Sequence, residues 1–251
     1  MAHGNVPGLS CPDPRKSIRA SQEHFGNFGA GAANLSIVIP TLNAATTLPA
    51  TIAALGSALA EILVVDGGSS DGTATVATRL GARVLTAPRG RGAQLAAGAG
   101  AATQPWLLLL HADTRLEAGW QSAVAGHIRD NPGRAGYFRF ALDSGDRQAR
   151  RLERLVAWRC RFFALPYGDQ GLLIHHDLLH AVGGIRPLPL MEDVDLVRRL
   201  GRRRLAALDA AAVTSAAKWQ REGWSRRSLR NLLCLSLYFL GVPPRLIARL
   251  Y

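Results

Sequence analysis

Three cysteines, Cys11, Cys160 and Cys234, are all that this chain contains, and neither their odd number nor their spacing suits a disulfide framework or a metal-ligand set. Reduced thiols and a cytoplasmic setting are expected. Aromatic residues make up only 6% of the chain, which leaves little stacking material for single-stranded nucleic acid, and no nucleic-acid partner is expected. Long apolar runs are missing too. No stretch reaches the roughly 18 consecutive apolar residues of a spanning helix, and the nearest, Leu232 to Val242, is stopped by Pro243-Pro244. Met1 to about Ala33 lacks the positive-then-apolar pattern of a secretory signal. Its Gly, Pro, Ser and charge predict a flexible extension over residues 1–33.

Acidic residues are also scarce, 18 against 30 Lys and Arg, so the formal net charge is +12. Such a balance calls for an anionic partner, and nucleotide diphosphate, an acidic lipid surface and nucleic acid all qualify on charge alone. Against these shortages stand 251 residues with 48% hydrophobic content, enough for one sizeable core. One domain is expected over residues 34–215, followed by a helical tail, 216–251.

The apolar content is organised as strands that end in polar residues. LSIVIPTLN (Leu35 to Asn43), EILVVDGGSSDGT (Glu61 to Thr73) and LLLLHADT (Leu107 to Thr114) each drive an aliphatic run into a polar stop. Runs of this kind suit strands covered on both faces, and open α/β sheets place ligands beyond the carboxyl ends of such strands. Between them, Thr47 to Leu59 and Asp71 to Leu80 carry apolar residues at helical spacing. Alternation of strand and helix predicts a mostly parallel sheet flanked by helices. The segment from Arg147 to Phe163 predicts a basic helix, with Leu152, Leu155, Val156 and Phe163 on an apolar face.

In this order, PTLN, VVDGGSSDGT, HADT and a Gly-Gly turn before MEDVDL resemble the motif series of family 2 glycosyltransferases, over roughly Leu35 to Leu208. The resemblance implies the GT-A nucleotide-diphospho-sugar transferase fold, a nucleoside-diphosphate sugar as donor, with a UDP-sugar favoured, and an inverting, divalent-metal-dependent reaction. PYGDQG (Pro166 to Gly171) and the Lys218-Trp219 region resemble a smaller bacterial subgroup whose proposed acceptors include arsenosugar precursors and carotenoid-type lipids.

Site roles follow from the resemblance, each beside a plainer reading. Pro40, Thr41, Asn43 and Asp66 would grip the nucleotide, whereas Asp66 could equally cap its Gly-rich turn. The family often has Asp-Asp here, and Gly67 stands in the second place. Asp113, with His111 where the family has a first carboxylate, would hold Mg²⁺ or Mn²⁺ against the diphosphate. Arg91, in a Gly-rich loop before an Ala-rich helix, would contact phosphate. Asp193, supported by Glu192, would take the acceptor proton, although acids in a first helical turn are also ordinary decoration. Tyr167, Asp169, Gln170 and Trp219 would meet sugar or acceptor. The acceptor would be small or lipid-linked, and the two basic helices could rest on the anionic inner face of the cell membrane. A nucleotidyltransferase and a basic nucleic-acid-binding protein without catalysis are the competing readings.

Overall fold

The protein is described here from a computed structural model covering residues 34–56 and 61–250. The extension expected at residues 1–33 and the residue Cys11 lie outside the described residues. Strand β1 (Leu35–Thr41) pairs in parallel with β2 (Glu61–Asp66) on one side and β4 (Trp106–Leu109) on the other, and β2 pairs in parallel with β3 (Arg83–Thr86). Strands β5 (Thr114–Leu116), β6 (Ala135–Leu142), β7 (Leu172–His175) and β8 (Leu205–Thr214) complete one eight-stranded sheet in the order β3-β2-β1-β4-β7-β6-β8-β5. The half formed by β3, β2, β1 and β4 is parallel throughout, as expected. Beyond β4 the sheet is mixed: β7 runs antiparallel to both β4 and β6, β6 and β8 are parallel, and β5 closes the edge antiparallel to β8.

The central strands are buried on both faces. Leu35, Ile37 and Ile39 pack on one side with Leu48, Ile52 and Trp120, while Val38, Leu63 and Val65 pack on the other with Leu95, Ala99 and Leu196. This is the period-two split that a continuous apolar strand needs when helices cover both sides. Helix α1 (Leu48–Ala53) is shorter than the expected Thr47 to Leu59, since the chain turns at Gly56 with φ of 68°. Helix α2 (Thr73–Arg79) begins two residues after Asp71, whose carboxylate accepts from the Thr73 N–H at 3.0 Å. Helix α3 (Arg91–Ala101) lies against β1 and β2 so closely that a Cβ on Gly98 would collide with Val38 and come within 2.9 Å of Val65.

The remaining helices are α4 (Trp120–Asp130), α5 (Arg147–Phe163), α6 (His176–Ala181), α7 (Glu192–Leu200), α8 (Ala217–Glu222), α9 (Trp224–Phe239) and α10 (Pro244–Ile247). The described residues form one compact unit, residues 216–250 included. Helix α5 departs from its expected packing. Ala149, Val156 and Cys160 face the core, but Leu155 and Phe163 stand exposed beside Trp158 and Phe162.

Candidate active site

The ends of β1, β2 and β4 point the same way because the strands are parallel, and their polar stops share one edge of the sheet. At the first two ends the chain uses its polar groups on itself. Asp66 accepts from the N–H groups of Gly68 and Ser69 at 3.1 and 2.9 Å, and from the Thr41 hydroxyl at 3.3 Å. Burial pulls the Asp66 pKa upward, yet hydrogen bonds from Ser69, Gly68 and Thr41 prevail and hold it below the ordinary carboxylate range. Asn43, left-handed at φ 52°, accepts from the Ser70 N–H at 2.9 Å. Gln94 of α3 reaches under both strands, donating to the carbonyls of Thr41 and Val65 at 2.7 Å each. A side chain at Gly67 would meet that amide at 3.1 Å, which accounts physically for glycine after Asp66. Pro40 is buried within β1.

Beyond β4 lies a cleft of ≈ 830 Å³. It is lined by His111, Asp113 and Arg91 together with Tyr167, Asp169, Met191, Asp193, Lys218, Trp219 and Asn231. A second, small and mostly apolar cavity is lined by Leu95, Leu172, Leu196 and Glu192 and shares His111, Tyr167 and Asp193 with the cleft.

Helix α7 brings its acids here through a left-handed Met191, φ 66°, in the N-cap position. A positive φ at a β-carbon-bearing residue is held only where the surroundings determine it. The three acids of its first turn then separate. Asp195 turns to the protein, paired with Arg199 at 2.7 Å and Arg186 at 3.1 Å. Glu192 is 1% exposed and ion-pairs with Arg91, whose Nη2 is also 3.9 Å from Asp193. Asp193 accepts from the Gly168 and Val194 N–H groups, each at 2.8 Å. Gly168 fits because nothing larger would: a Cβ there would sit 2.7 Å from His111 Nε2 and 3.1 Å from Asp193 Oδ2.

These contacts drive the two carboxyls apart. Burial raises the Glu192 pKa, and the charge of Asp193 adds to it against the pull of Arg91. Burial works upward on Asp193 as well, but Arg91 and the two backbone N–H groups outweigh it and leave Asp193 below its ordinary value. Like-charge clustering in general raises one acid of such a group. It raises Glu192, with burial as the larger cause, and leaves Asp193 ionised at neutral pH.

His111 is pushed down to about 4, by burial first and the Arg91 guanidinium second, against Asp113 and Asp193. Its imidazole is therefore neutral and keeps a lone pair. Asp113 faces Lys218 at 3.4 Å and its side chain is 20% exposed. Among the described residues no three His, Cys, Asp or Glu side chains are grouped to hold a metal ion. The donor set suits a hard dication only if two protein donors, Asp113 and His111, are completed by diphosphate oxygens and water, which is how Mg²⁺ is commonly held.

Asp169 is pushed up to about 6 by burial, with Arg159 opposing and Asp193 and Asp113 adding to the rise. Gln170 turns away from the cleft: its amide donates to the Phe138 carbonyl at 2.9 Å and accepts from the Tyr167 N–H at 3.3 Å, fixing the short 3₁₀ turn Gly168–Gln170. Arg159 lies over the Tyr167 ring at 3.7 Å, and Arg227 over Trp219 at 4.7 Å. Around the cleft the buried Tyr167 Oη, Asp169 Oδ1, Trp219 Nε1 and Asn231 Oδ1 have no hydrogen-bond partner among the described residues.

Gly168 and Lys218 lie in the PYGDQG and Lys218-Trp219 stretches that the resemblance marked, whereas Asn231 and Arg227 complete the site without having been assigned to it in the sequence. Lys218 adjoins Trp219, but Asn231 and Arg227 sit inside an ordinary-looking helix and carry no local signal. Gln94 was not singled out either, although it is the lone polar side chain in a run of Ala, Gly and Leu and that isolation is a local signal.

Comparison with known proteins follows the same outline. The model of "Glycosyl transferase family 2" matches residues 36–188. An uncharacterised glycosyltransferase of Mycobacterium tuberculosis is 44% identical over 86 residues, 34% of this chain and 39% of the relative. A PGL/p-HBAD biosynthesis glycosyltransferase of the same organism is 36% identical over 107 residues, 38% of this chain and 42% of the relative. The chain thus aligns with well under half the length of these relatives. Among solved structures, S. aureus TarS in complex with UDP-GlcNAc superposes with a TM-score of 0.57 at 14% identity, covering 72% of this chain and 58% of that one. Glucosyl-3-phosphoglycerate synthase from M. tuberculosis, in complex with Mn²⁺, UDP and glucosyl-3-phosphoglycerate, gives 0.54 at 20% identity, covering 96% and 88%. These likenesses establish the GT-A fold. The family match spans more than half of the sequence, and the chain belongs to glycosyl transferase family 2.

Proposed function

We propose that this protein transfers a sugar from a nucleoside-diphosphate donor, a UDP-sugar, to an acceptor hydroxyl with inversion at the anomeric carbon. The observation that carries the reading is Asp193, an ionised carboxylate on the flank of the cleft, held by two backbone N–H groups and reachable by a ligand. Asp193 accepts the acceptor proton, and Glu192 anchors Arg91 beside it. With one base and no enzyme nucleophile required, displacement is direct. The β1 and β2 ends form the nucleotide side, where the Thr41–Asp66–Ser69 network makes a rigid rim and Asn43 is exposed. Arg91, which lies by Asp193, and Lys218, which faces Asp113, are the cations that would meet the diphosphate. Tyr167, Asp169 and Trp219 offer polar atoms to sugar or acceptor, and Gln170 supports their turn.

Asp113 and His111 would hold Mg²⁺ or Mn²⁺, which when bound neutralises charge gathering on the leaving diphosphate. The neighbouring structures obtained with UDP and Mn²⁺ or Mg²⁺ support this reading. The acceptor is small or lipid-linked, and the protein works at the inner face of the cell membrane. No helix among the described residues is long and apolar enough to cross a membrane.

Thermal unfolding with UDP, with Mn²⁺, and with both tests the core of the proposal, because a ligand that binds only the folded state raises the melting temperature. UDP is expected to stabilise only when the cation is present, and Asp113→Asn to remove most of that shift. Full stabilisation by UDP in excess chelator would overturn the metal role. No stabilisation under any condition would overturn the donor.

A further inference from the structure

The exposed large hydrophobic side chains are not scattered. Among the described residues, only Leu42 and Leu80 lie outside two segments, α5 and the stretch from Leu229 to Leu250. On α5, Trp158, Phe162 and Phe163 are more than half exposed and in mutual contact, with ring centroids 5.3 Å apart in both Trp158 pairs. On α9 and just beyond it, Leu229, Leu232 and Leu240 are 69, 59 and 80% exposed. Isolated exposed leucines need no explanation, but clustered aromatics and leucines on adjoining helix faces do.

The end of α7 joins the two clusters. Arg198 lies over the Phe239 ring at 5.0 Å, at the end of α9. Arg202, just past α7, donates to the carbonyls of Arg161 and Phe162 at 2.8 and 3.2 Å, at the end of α5. Arg198 and Arg202 thus tie the apolar end of α9 and the aromatic end of α5 to the same short basic stretch of chain. Residues 154–168, 196–208 and 223–250, which build this surface, contain no Asp or Glu at all, whereas Arg198, Arg202, Arg203, Arg204, Arg245 and Arg249 are all present.

From this juxtaposition we infer that the α5–α7–α9 face is a docking surface for an anionic lipid bilayer, and that the acceptor is a lipophilic molecule drawn from it. The inference rests on the glycosyltransferase reading only for its second half. Charge selects the occupant. A second copy of this chain would bring arginines against arginines with no carboxylate between them, while phosphate headgroups complement the cations and acyl chains accept Trp158, Phe162 and Leu232. Helix α9 also connects surface to site. Its Asn231 and Leu235 line the cleft and Cys234 is buried, while Leu232 and Leu233 face outward. One helix thickness therefore separates the proposed bilayer contact from the sugar-transfer cleft.

Flotation of the full chain with phosphatidylglycerol–phosphatidylcholine vesicles, against phosphatidylcholine alone, tests the surface without any knowledge of the acceptor. Binding is expected with the anionic vesicles only, and to fall away between about 0.1 M and about 1 M salt. The triple substitutions Trp158→Ser/Phe162→Ser/Phe163→Ser and Leu229→Ser/Leu232→Ser/Leu240→Ser should each weaken it at least ~10-fold. Arg198→Gln/Arg202→Gln should do the same at low salt. All these side chains lie outside the cleft, so the UDP-induced melting shift should survive in every variant, which separates loss of the surface from loss of the fold. No binding at low salt overturns the proposal, as does binding indifferent to the apolar substitutions. A concentration-dependent dimer abolished by those substitutions would reassign the face to self-association. Failure of UDP to stabilise the parent protein, with vesicle binding intact, would remove the donor reading and leave the bilayer contact standing.

Discussion

Asp193 and Glu192 are adjacent in sequence and opposite in electrostatic fate, and the difference lies in who donates to them. Two backbone N–H groups stabilise the charge of Asp193, while Glu192 has one oxygen on Arg91 and its other without a partner among the described residues. A base must reach the acceptor proton in its ionised form, which Asp193 satisfies at neutral pH. Asp193→Asn should cut turnover, read as UDP release from the donor, by the ~10²–10⁴-fold of a lost base. UDP affinity should stay near the parent value. Retained turnover would move the role to Glu192. Asp169 makes a separate prediction in stability. Its folded pKa, about 6, lies above the ordinary 3.8, so the folded state holds the proton more tightly and this group's contribution is lost as pH rises from about 4 through about 6. Asp169→Asn should therefore unfold at higher temperature than the parent at pH 7 to 8, by on the order of 1–2 kcal/mol, and the gain should vanish near pH 4. His111 titrates in an overlapping window with the opposite sign, which makes the difference between the two proteins the proper measurement. A constant difference across the pH range would exclude the assignment.

Helix α3 ties the ends of β1 and β2 to the start of α7. Its Gln94 holds the carbonyls of Thr41 and Val65, its first residue Arg91 holds Glu192, and its Gly98 lets the whole element settle on β1. Gly98→Ala would gain helix propensity but overpack the helix against Val38 and Val65. Overpacking of this kind generally costs about 1–3 kcal/mol. A drop in chemical-denaturation midpoint with unchanged slope is expected, together with weaker UDP binding as Arg91 moves with its helix; a stabilised variant would show that the contact relaxes. Elements such as α3 also show what the sequence could and could not disclose. Apolar runs ending in Asp66 and Asp113 marked β2 and the end of β4, because a twice-covered strand must be apolar until it leaves the sheet. MEDVDL marked the start of α7 for a similar local reason. The pairing of Arg91 with Glu192, the seat of Gly168 against Asp193, and the meeting of Lys218 with Asp113 join residues far apart in the chain, and no local pattern encodes them. The antiparallel β7 escaped notice because LLIH reads the same in either direction. Exposure of Phe163 escaped because an apolar helix face usually finds a core.

At the scale of the whole molecule, the surplus of twelve positive charges and the arrangement of the cleft act on different parts of binding. Long-range attraction governs how fast an anionic nucleotide arrives, and salt screens it over a Debye length of about 8 Å at physiological ionic strength. Contacts inside the cleft govern how long the nucleotide stays. Arg91 and Lys218 are already paired with Glu192 and Asp113, so their charges are partly compensated locally, as are those of Arg150, Arg199, Arg227 and Arg230 by Glu153, Asp195 and Glu222, and the long-range field comes from the excess of Lys and Arg over Asp and Glu in the chain as a whole. Stopped-flow binding of UDP in saturating Mn²⁺, followed by tryptophan fluorescence, should therefore show the association rate falling by on the order of 10-fold between about 0.05 M and about 0.5 M salt. The dissociation rate should change by less than about 2-fold, because rim and distant charges act mainly on encounter. Arg203→Gln/Arg204→Gln, two cations outside the cleft, should lower the association rate at low salt and leave dissociation alone. If salt acted instead on dissociation, the controlling charges would be those in direct contact with the diphosphate, and the net charge of the chain would belong to its membrane surface rather than to nucleotide capture.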